Sequence, residues 1–166
     1  MTSLTTSAVE GELDPVESFI KLAESMAQKP LQMIKEVLKL TSASRHFERT
    51  LRKIEAESAG SGWCNYEMKL EEEHLNSSGV AMHGGLVATI VDTLSTYTLM
   101  TLPPHKPGVS VNLSIQYLKA AKAGDDIVIE TKVLKSGRTL AFLDVDIKRK
   151  SNGDLLYQGK HLKHVG

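Results

Sequence analysis

Gly84-Gly85-Leu86-Val87-Ala88-Thr89-Ile90-Val91-Asp92-Thr93-Leu94-Ser95-Thr96-Tyr97-Thr98-Leu99-Met100-Thr101-Leu102-Pro103-Pro104 is the run on which the fold depends. It opens on two glycines, closes on two prolines, and holds a single charged residue, Asp92. Proline cannot continue a helix, so the run predicts one long helix from Gly84 that stops before Pro103. Its length, its six Ser/Thr and its acid argue against a membrane span. Such a helix is expected to be buried on most sides by a sheet. A lone carboxylate in it needs a partner or a cavity, because burying one unpaired is costly.

The flanking sequence supplies that sheet. Residues 63–70, 109–118, 126–135, 139–149 and 155–164 read as strands. In 109–118, Val109, Val111, Leu113, Ile115 and Tyr117 alternate with Ser110, Asn112, Ser114 and Gln116, a period of two. In 139–149, Leu143, Val145 and Ile147 oppose Asp144, Asp146 and Lys148. Asn152-Gly153 marks a hairpin turn before the last strand. Strands this closely spaced favour an antiparallel sheet, giving an α+β fold with one long helix inside it. Ahead of them, residues 1–12 read as disordered, being rich in Ser and Thr with no apolar period. Asp14-Pro15-Val16-Glu17 is a helix start, and that helix is expected to run to about Gln28. A second helical stretch covers 31–55, with a break near Thr41-Ser44. Three roles are open to this segment: docking on the core, binding a protein partner, or staying mobile.

The chain of 166 residues has a formal net charge of zero, so nothing global points to nucleic acid or a membrane surface. Residues 1–104 carry 9 Lys/Arg against 14 Asp/Glu, and residues 105–166 carry 11 against 6. A local anionic ligand therefore suits the C-terminal part. Cys64 is the only cysteine, which excludes an internal disulfide and reads as a buried structural thiol. The acidic start, with Glu10, Glu12, Asp14 and Glu17, is unlike a secretory or mitochondrial leader. These features suit the cytoplasm, with association at the mitochondrion left open. His74, His83, His161 and His164 match no metal-ligand spacing, and His161 reads as structural or surface. Gly108-Val109-Ser110-Val111-Asn112 lacks the closing glycine of a serine-hydrolase elbow, so Ser110 is not read as a nucleophile.

His83-Gly84-Gly85 adds a chemical element. A helix N-terminus presents unpaired N–H groups and partial positive charge, which suit an oxygen that becomes negative during acyl transfer. On its own, Gly-Gly reads as a tight turn. Gly84 and Asp92 lie eight residues apart, about 12 Å along one helix axis. That is too far for both to act on one carbon, so a shared site requires a second copy of the helix.

Several separated motifs then resemble the hotdog-fold thioesterase superfamily: Glu71-Glu72-Glu73-His74-Leu75-Asn76, His83-Gly84-Gly85, Val91-Asp92, Pro107-Gly108-Val109-Ser110-Val111, Leu134-Lys135-Ser136-Gly137-Arg138-Thr139-Leu140, and Gln158 to His164. The resemblance covers roughly residues 32–166 and divides the chain into an extension over 1–30 and a hotdog domain over 31–166. It implies hydrolysis of medium- and long-chain fatty acyl-CoA, in fatty acid metabolism, by a homotetramer built as a dimer of dimers. It implies that the Gly84 N–H and the Asn76 side chain hold the thioester carbonyl. Asp92 and Ser110 of the facing subunit would activate water, with Asp92 as general base or nucleophile and His83 in support. The implied coenzyme A contacts are Glu72, Gly85, Tyr117, Leu118, Lys119, Ala120, Ala121, Lys122, Lys135, Ser136, Gly137, Arg138, Thr139, Leu140 and His164. No cofactor is expected, since coenzyme A belongs to the substrate. Two other readings stay open: a hotdog hydratase or dehydratase pairing Asp with His, and an acyl-CoA-binding scaffold without turnover.

Overall fold

The computed structural model describes residues 14–166; the expectation of disorder over 1–12 lies outside them. Helix α1 spans Pro15–Ser25. The Asp14 carboxylate caps it by accepting from the Val16 N–H at 3.0 Å, with Pro15 in the first turn. Helix α2 spans Pro30–Ala43, and the chain breaks at Ser44 before a 3-10 turn over Phe47–Leu51. The expected break near Thr41-Ser44 is therefore present. The Thr41 and Ser42 hydroxyls turn back onto Val37 and Leu38 carbonyls, competing with helix propagation. Both helices dock on the core: Ala23, Met33, Ile34 and Val37 are buried.

The helical stretch does not reach residue 55. Strand β1, Glu55–Gly60, begins there and pairs with β2, Trp63–Lys69. Glu-Ala-Glu-Ser-Ala-Gly has neither β-branched nor aromatic residues, so its strand state comes from pairing with β2 rather than from its own propensity. After a 3-10 turn over Glu72–His74, helix α3 spans Gly84–Leu99. Strands β3 (Val109–Tyr117), β4 (Asp126–Ser136), β5 (Leu140–Arg149) and β6 (Leu155–His164) follow. The six strands form one antiparallel sheet in the order β1-β2-β4-β5-β6-β3, with α3 packed on one face.

Helix α3 buries Val87, Ile90, Val91, Leu94, Ser95, Tyr97 and Thr98. Its opposite stripe, Gly85, Thr89, Asp92, Thr93 and Thr96, stays open, so the helix is less enclosed than its sequence suggested. A single sheet covers one side of a helix; the Asp92 side chain is 51% exposed. Cys64 is fully buried, and burial pushes its thiol up to about 12, in keeping with a structural role. No helix among the described residues is long and apolar enough to cross a membrane.

Close contact between α3 and β6 occurs at Gly159. A Cβ there would lie 2.5 Å from Val91 Cγ1 and 3.1 Å from Val91 Cβ. Valine in a helix has one preferred rotamer and cannot swing away. Gly159→Ala is therefore expected to destabilise the protein by about 1–3 kcal/mol through overpacking. Urea unfolding checks this, and an unchanged midpoint would show that the helix has room to shift.

Candidate functional site

Register in β3 decides which side chains meet Asp92. Strict alternation would put Ser110 on the face opposite Leu113 and Ile115. A bulge between Ser110 and Asn112 leaves Val111 without a partner on β6. Ser110 pairs with Lys163 and Leu113 pairs with His161, so all four turn toward α3. The expected apolar face is corrected accordingly: Val109 is 70% exposed and Val111 57% exposed, and Ser110 takes the inward place.

Four residues from three elements then form a hydrogen-bonded chain. The Ser110 Oγ donates to Asp92 Oδ1 at 3.1 Å. Since that hydroxyl is a donor, His161 Nε2 at 2.9 Å must carry the hydrogen that Ser110 accepts. His161 Nδ1 is then free to accept from Ser95 Oγ at 2.8 Å. His161 is 2% exposed, and burial is the leading cause that pulls it down to about 4, with Lys163 adding to the depression. It is therefore neutral near pH 7, as this network requires. Lys163, 3% exposed, donates from Nζ to Thr96 Oγ1 at 2.6 Å. Burial lowers its pKa, and the neighbouring Asp92 opposes the shift.

His161 and Lys163 are the residues that the sequence reading missed. His161 was read as structural or surface, and it sits 3.5 Å from Asp92. The available signal was the alternation Gly159, His161, Lys163 on β6, which puts a neutral small residue and two polar ones on the buried face beside the one acidic position of α3.

A second group gathers at the start of α3. His83 caps the helix, its Nδ1 accepting from the Gly85 N–H at 2.9 Å. Its carbonyl accepts from Leu86 and Val87. The Gly84 N–H is left with no acceptor among the described residues. A Cβ on Gly85 would come within 2.9 Å of the His83 ring, so glycine there is required by the cap itself. Asn76 is tied to this end by the bridge between Leu75 and Met82. Its Oδ1 accepts from Ser78 Oγ at 2.7 Å and the Val80 N–H at 3.3 Å, which turns its Nδ2 outward as a donor. Tyr117 Oη reaches the Gly84 carbonyl at 3.1 Å.

The expected coenzyme A contacts fall at two ends of the sheet. Tyr117 pairs with Tyr157 near the Gly84 end, whereas Leu140 and Val109 both pair with His164 near the Asp92 end. Tyr117 and Val109 are eight strand residues apart, roughly 27 Å. Within one chain the structure thus joins Asn76, His83, Gly84, Gly85 and Tyr117 to Lys122 on one side. On the other side it joins Asp92, Ser110, Lys135 to Leu140 and His164. Glu72, Leu118, Ala120, Lys122, Lys135, Ser136, Gly137, Arg138 and Thr139 are exposed. Lys119 is engaged by Asp154 at 2.7 Å. Ala121 differs from its neighbours in that its side chain is buried, its N–H donates to Tyr157 Oη and its carbonyl accepts from the Met82 N–H.

Each end opens on a cleft. One of about 290 Å³ is lined by Phe47, Leu75, His83, Gly85, Leu86 and Thr89 among others. The other, about 380 Å³, surrounds Asp92, Thr93, Thr96, Tyr97, Ser110 and Lys163. The two lie end to end along the open stripe of α3.

Comparison with known proteins gives a consistent result. The profile of the thioesterase superfamily matches residues 80–155. Acyl-coenzyme A thioesterase 13 of Homo sapiens is 50% identical over 135 residues, 81% of this chain and 96% of that protein. The crystal structure of zebra fish thioesterase superfamily member 2 superposes with a TM-score of 0.80 at 47% identity, covering 82% of this chain and 98% of that one. A hypothetical thioesterase protein from Streptococcus pneumoniae TIGR4, solved with coenzyme A, gives a TM-score of 0.64 at 30% identity, covering 69% and 87%.

Proposed function

The chain belongs to the thioesterase superfamily, and from that premise we propose that it hydrolyses medium- and long-chain fatty acyl-CoA at sites assembled from two copies. It is a thioester hydrolase with the hotdog fold, and acyl-CoA is its substrate class. The observation that carries the finer reading is the separation of the two half-sites. The unpaired Gly84 N–H and the outward Asn76 amide lie at one end of α3, and the Asp92–Ser110–His161 chain lies eight residues along it.

A two-fold axis through the open stripe of α3 would set two such helices antiparallel. Each Gly84 would then face the other copy's Asp92, and each Lys122 would share a ligand with the other copy's Lys135 and Arg138. Strand β3 favours such pairing, since among the described residues it ends the sheet with an unpaired edge that exposes Val109, Val111 and Tyr117. Leu134, Leu140 and Phe142 leave further apolar surface, which suits a dimer of dimers.

In this reading the thioester oxygen accepts from the Gly84 N–H and from Asn76 Nδ2. Asp92 of the facing copy takes a proton from water. The hydroxide adds to the acyl carbon, and the oxyanion stays on the two donors. Collapse breaks the carbon–sulfur bond, and the proton returns from Asp92 to the departing thiolate. The products are a fatty acid and coenzyme A. Ser110 holds Asp92 by its hydroxyl, and His161 and Ser95 hold Ser110. His83 supports the site by orienting the first turn of α3.

A hydratase would pair the Asp with a histidine as acid and base. Both ring nitrogens of His161 are bonded to serines and the ring is buried, which takes His161 out of that role. His83 remains exposed at the Gly84 end, so product analysis separates the two chemistries. Thiol release from a series of acyl-CoA esters tests the proposal. Free coenzyme A is expected with turnover; tight binding without release would support the scaffold reading instead.

A further inference from the structure

Helix α1 precedes the stretch that carries the family motifs, yet it supplies a wall of the Asp92 cleft. Phe19 lines this cleft together with Leu40 of α2 and Tyr97 of α3. The α1 helix starts on the Asp14 cap and is docked by packing of Phe19, Leu22, Ala23 and Met26 on the core. Tyr97 is fixed as well, being buried at 8% exposure. Ser110 and Lys163 border the sheet side of the cleft, and Asp92, Thr93, Thr96 and Tyr97 come from α3. Phe19, Leu40, Thr41, Ser44, His46 and Glu48 close the N-terminal side.

We infer that α1 is a specificity element, with Phe19 forming a stop for the acyl tail of the substrate. This rests on the proposed hydrolysis at Asp92. The occupant follows from continuity. An acyl carbon within reach of Asp92 has its coenzyme A end directed to the basic segments at the sheet ends. The tail must leave by another route, and Phe19, Leu40 and Tyr97 are the apolar residues lining the Asp92 cleft, beside Thr41, Ser44, His46 and Glu48. The wall begins on a segment ahead of the stretch that carries the family motifs, so chain-length preference in this protein is set partly by residues outside that stretch.

The test is kcat/KM by thiol release for octanoyl-, myristoyl- and stearoyl-CoA with the full-length protein, Phe19→Ala and Phe19→Trp. Phe19→Ala is expected to raise the stearoyl-to-octanoyl ratio by about tenfold, and Phe19→Trp to lower it by a similar factor, as a few methylenes in an apolar pocket allow. The readout is the ratio between chain lengths, so a uniform change across all three esters counts against a chain-length role. Thermal melts establish that α1 stays docked, and Phe19→Trp keeps the test decisive if the smaller residue loosens it. Unchanged ratios in both variants would overturn the inference while leaving hydrolysis at Asp92 standing. Full turnover by an Asp92→Asn control would overturn both.

Discussion

Asp92→Asn is expected to lower kcat/KM for acyl-CoA by about two to four powers of ten, the range that a positioned general base contributes. Asparagine keeps an oxygen where Ser110 Oγ donates at 3.1 Å, so the local network has a partner after the change. The side chain is half exposed and leaves no cavity. The melting temperature should therefore stay near that of wild type, which separates lost chemistry from lost fold. Thiol release measured beside a thermal melt checks both parts. Wild-type turnover would remove Asp92 from its assigned role.

Asn76→Ala is expected to cost about two to three powers of ten in kcat, the usual loss on deleting one donor to a developing oxyanion. Because that bond strengthens in the transition state, kcat and kcat/KM should fall together. Alanine also releases Ser78 Oγ and the Val80 N–H, both of which bond Asn76 Oδ1. Asn76→Asp keeps the acceptor oxygen for both groups, replaces the Nδ2 donor and adds a negative charge beside the oxyanion. It is expected to be at least as impaired as alanine while keeping the loop ordered. An active Asn76→Asp enzyme would show that this donor does not hold the carbonyl.

Much of the arrangement was legible from local pattern. The apolar run between two glycines and two prolines named the helix, and its single acid named Asp92. Asp14-Pro15 marked where α1 starts, and Asn152-Gly153 marked the last hairpin. Period-two alternation located β3 to β6 within a residue or two. What escaped was long-range. A bulge has no signature in the alternation of β3, so Ser110 appeared on the polar face until pairing with Lys163 turned it inward. His161 meets Ser110 across 51 positions of sequence, and only the β3–β6 ladder brings them together. Strand β1 escaped because its residues lack strand propensity and take their state from β2. Ala121 is among the implied coenzyme A contacts, yet its side chain is buried and its amide is drawn inward by Tyr157 Oη.

The shared site makes an arithmetical demand that one experiment can meet. Asp92→Asn and Asn76→Ala subunits, each inactive alone, are co-expressed with different tags and the mixed pairs are isolated. If the carboxylate and the carbonyl donors of one site come from different copies, a mixed pair holds one intact site and one doubly impaired site. Its turnover should then recover to about half that of a wild-type pair. A mixed pair no more active than its parents would place both groups in a single chain and contradict the two-copy site.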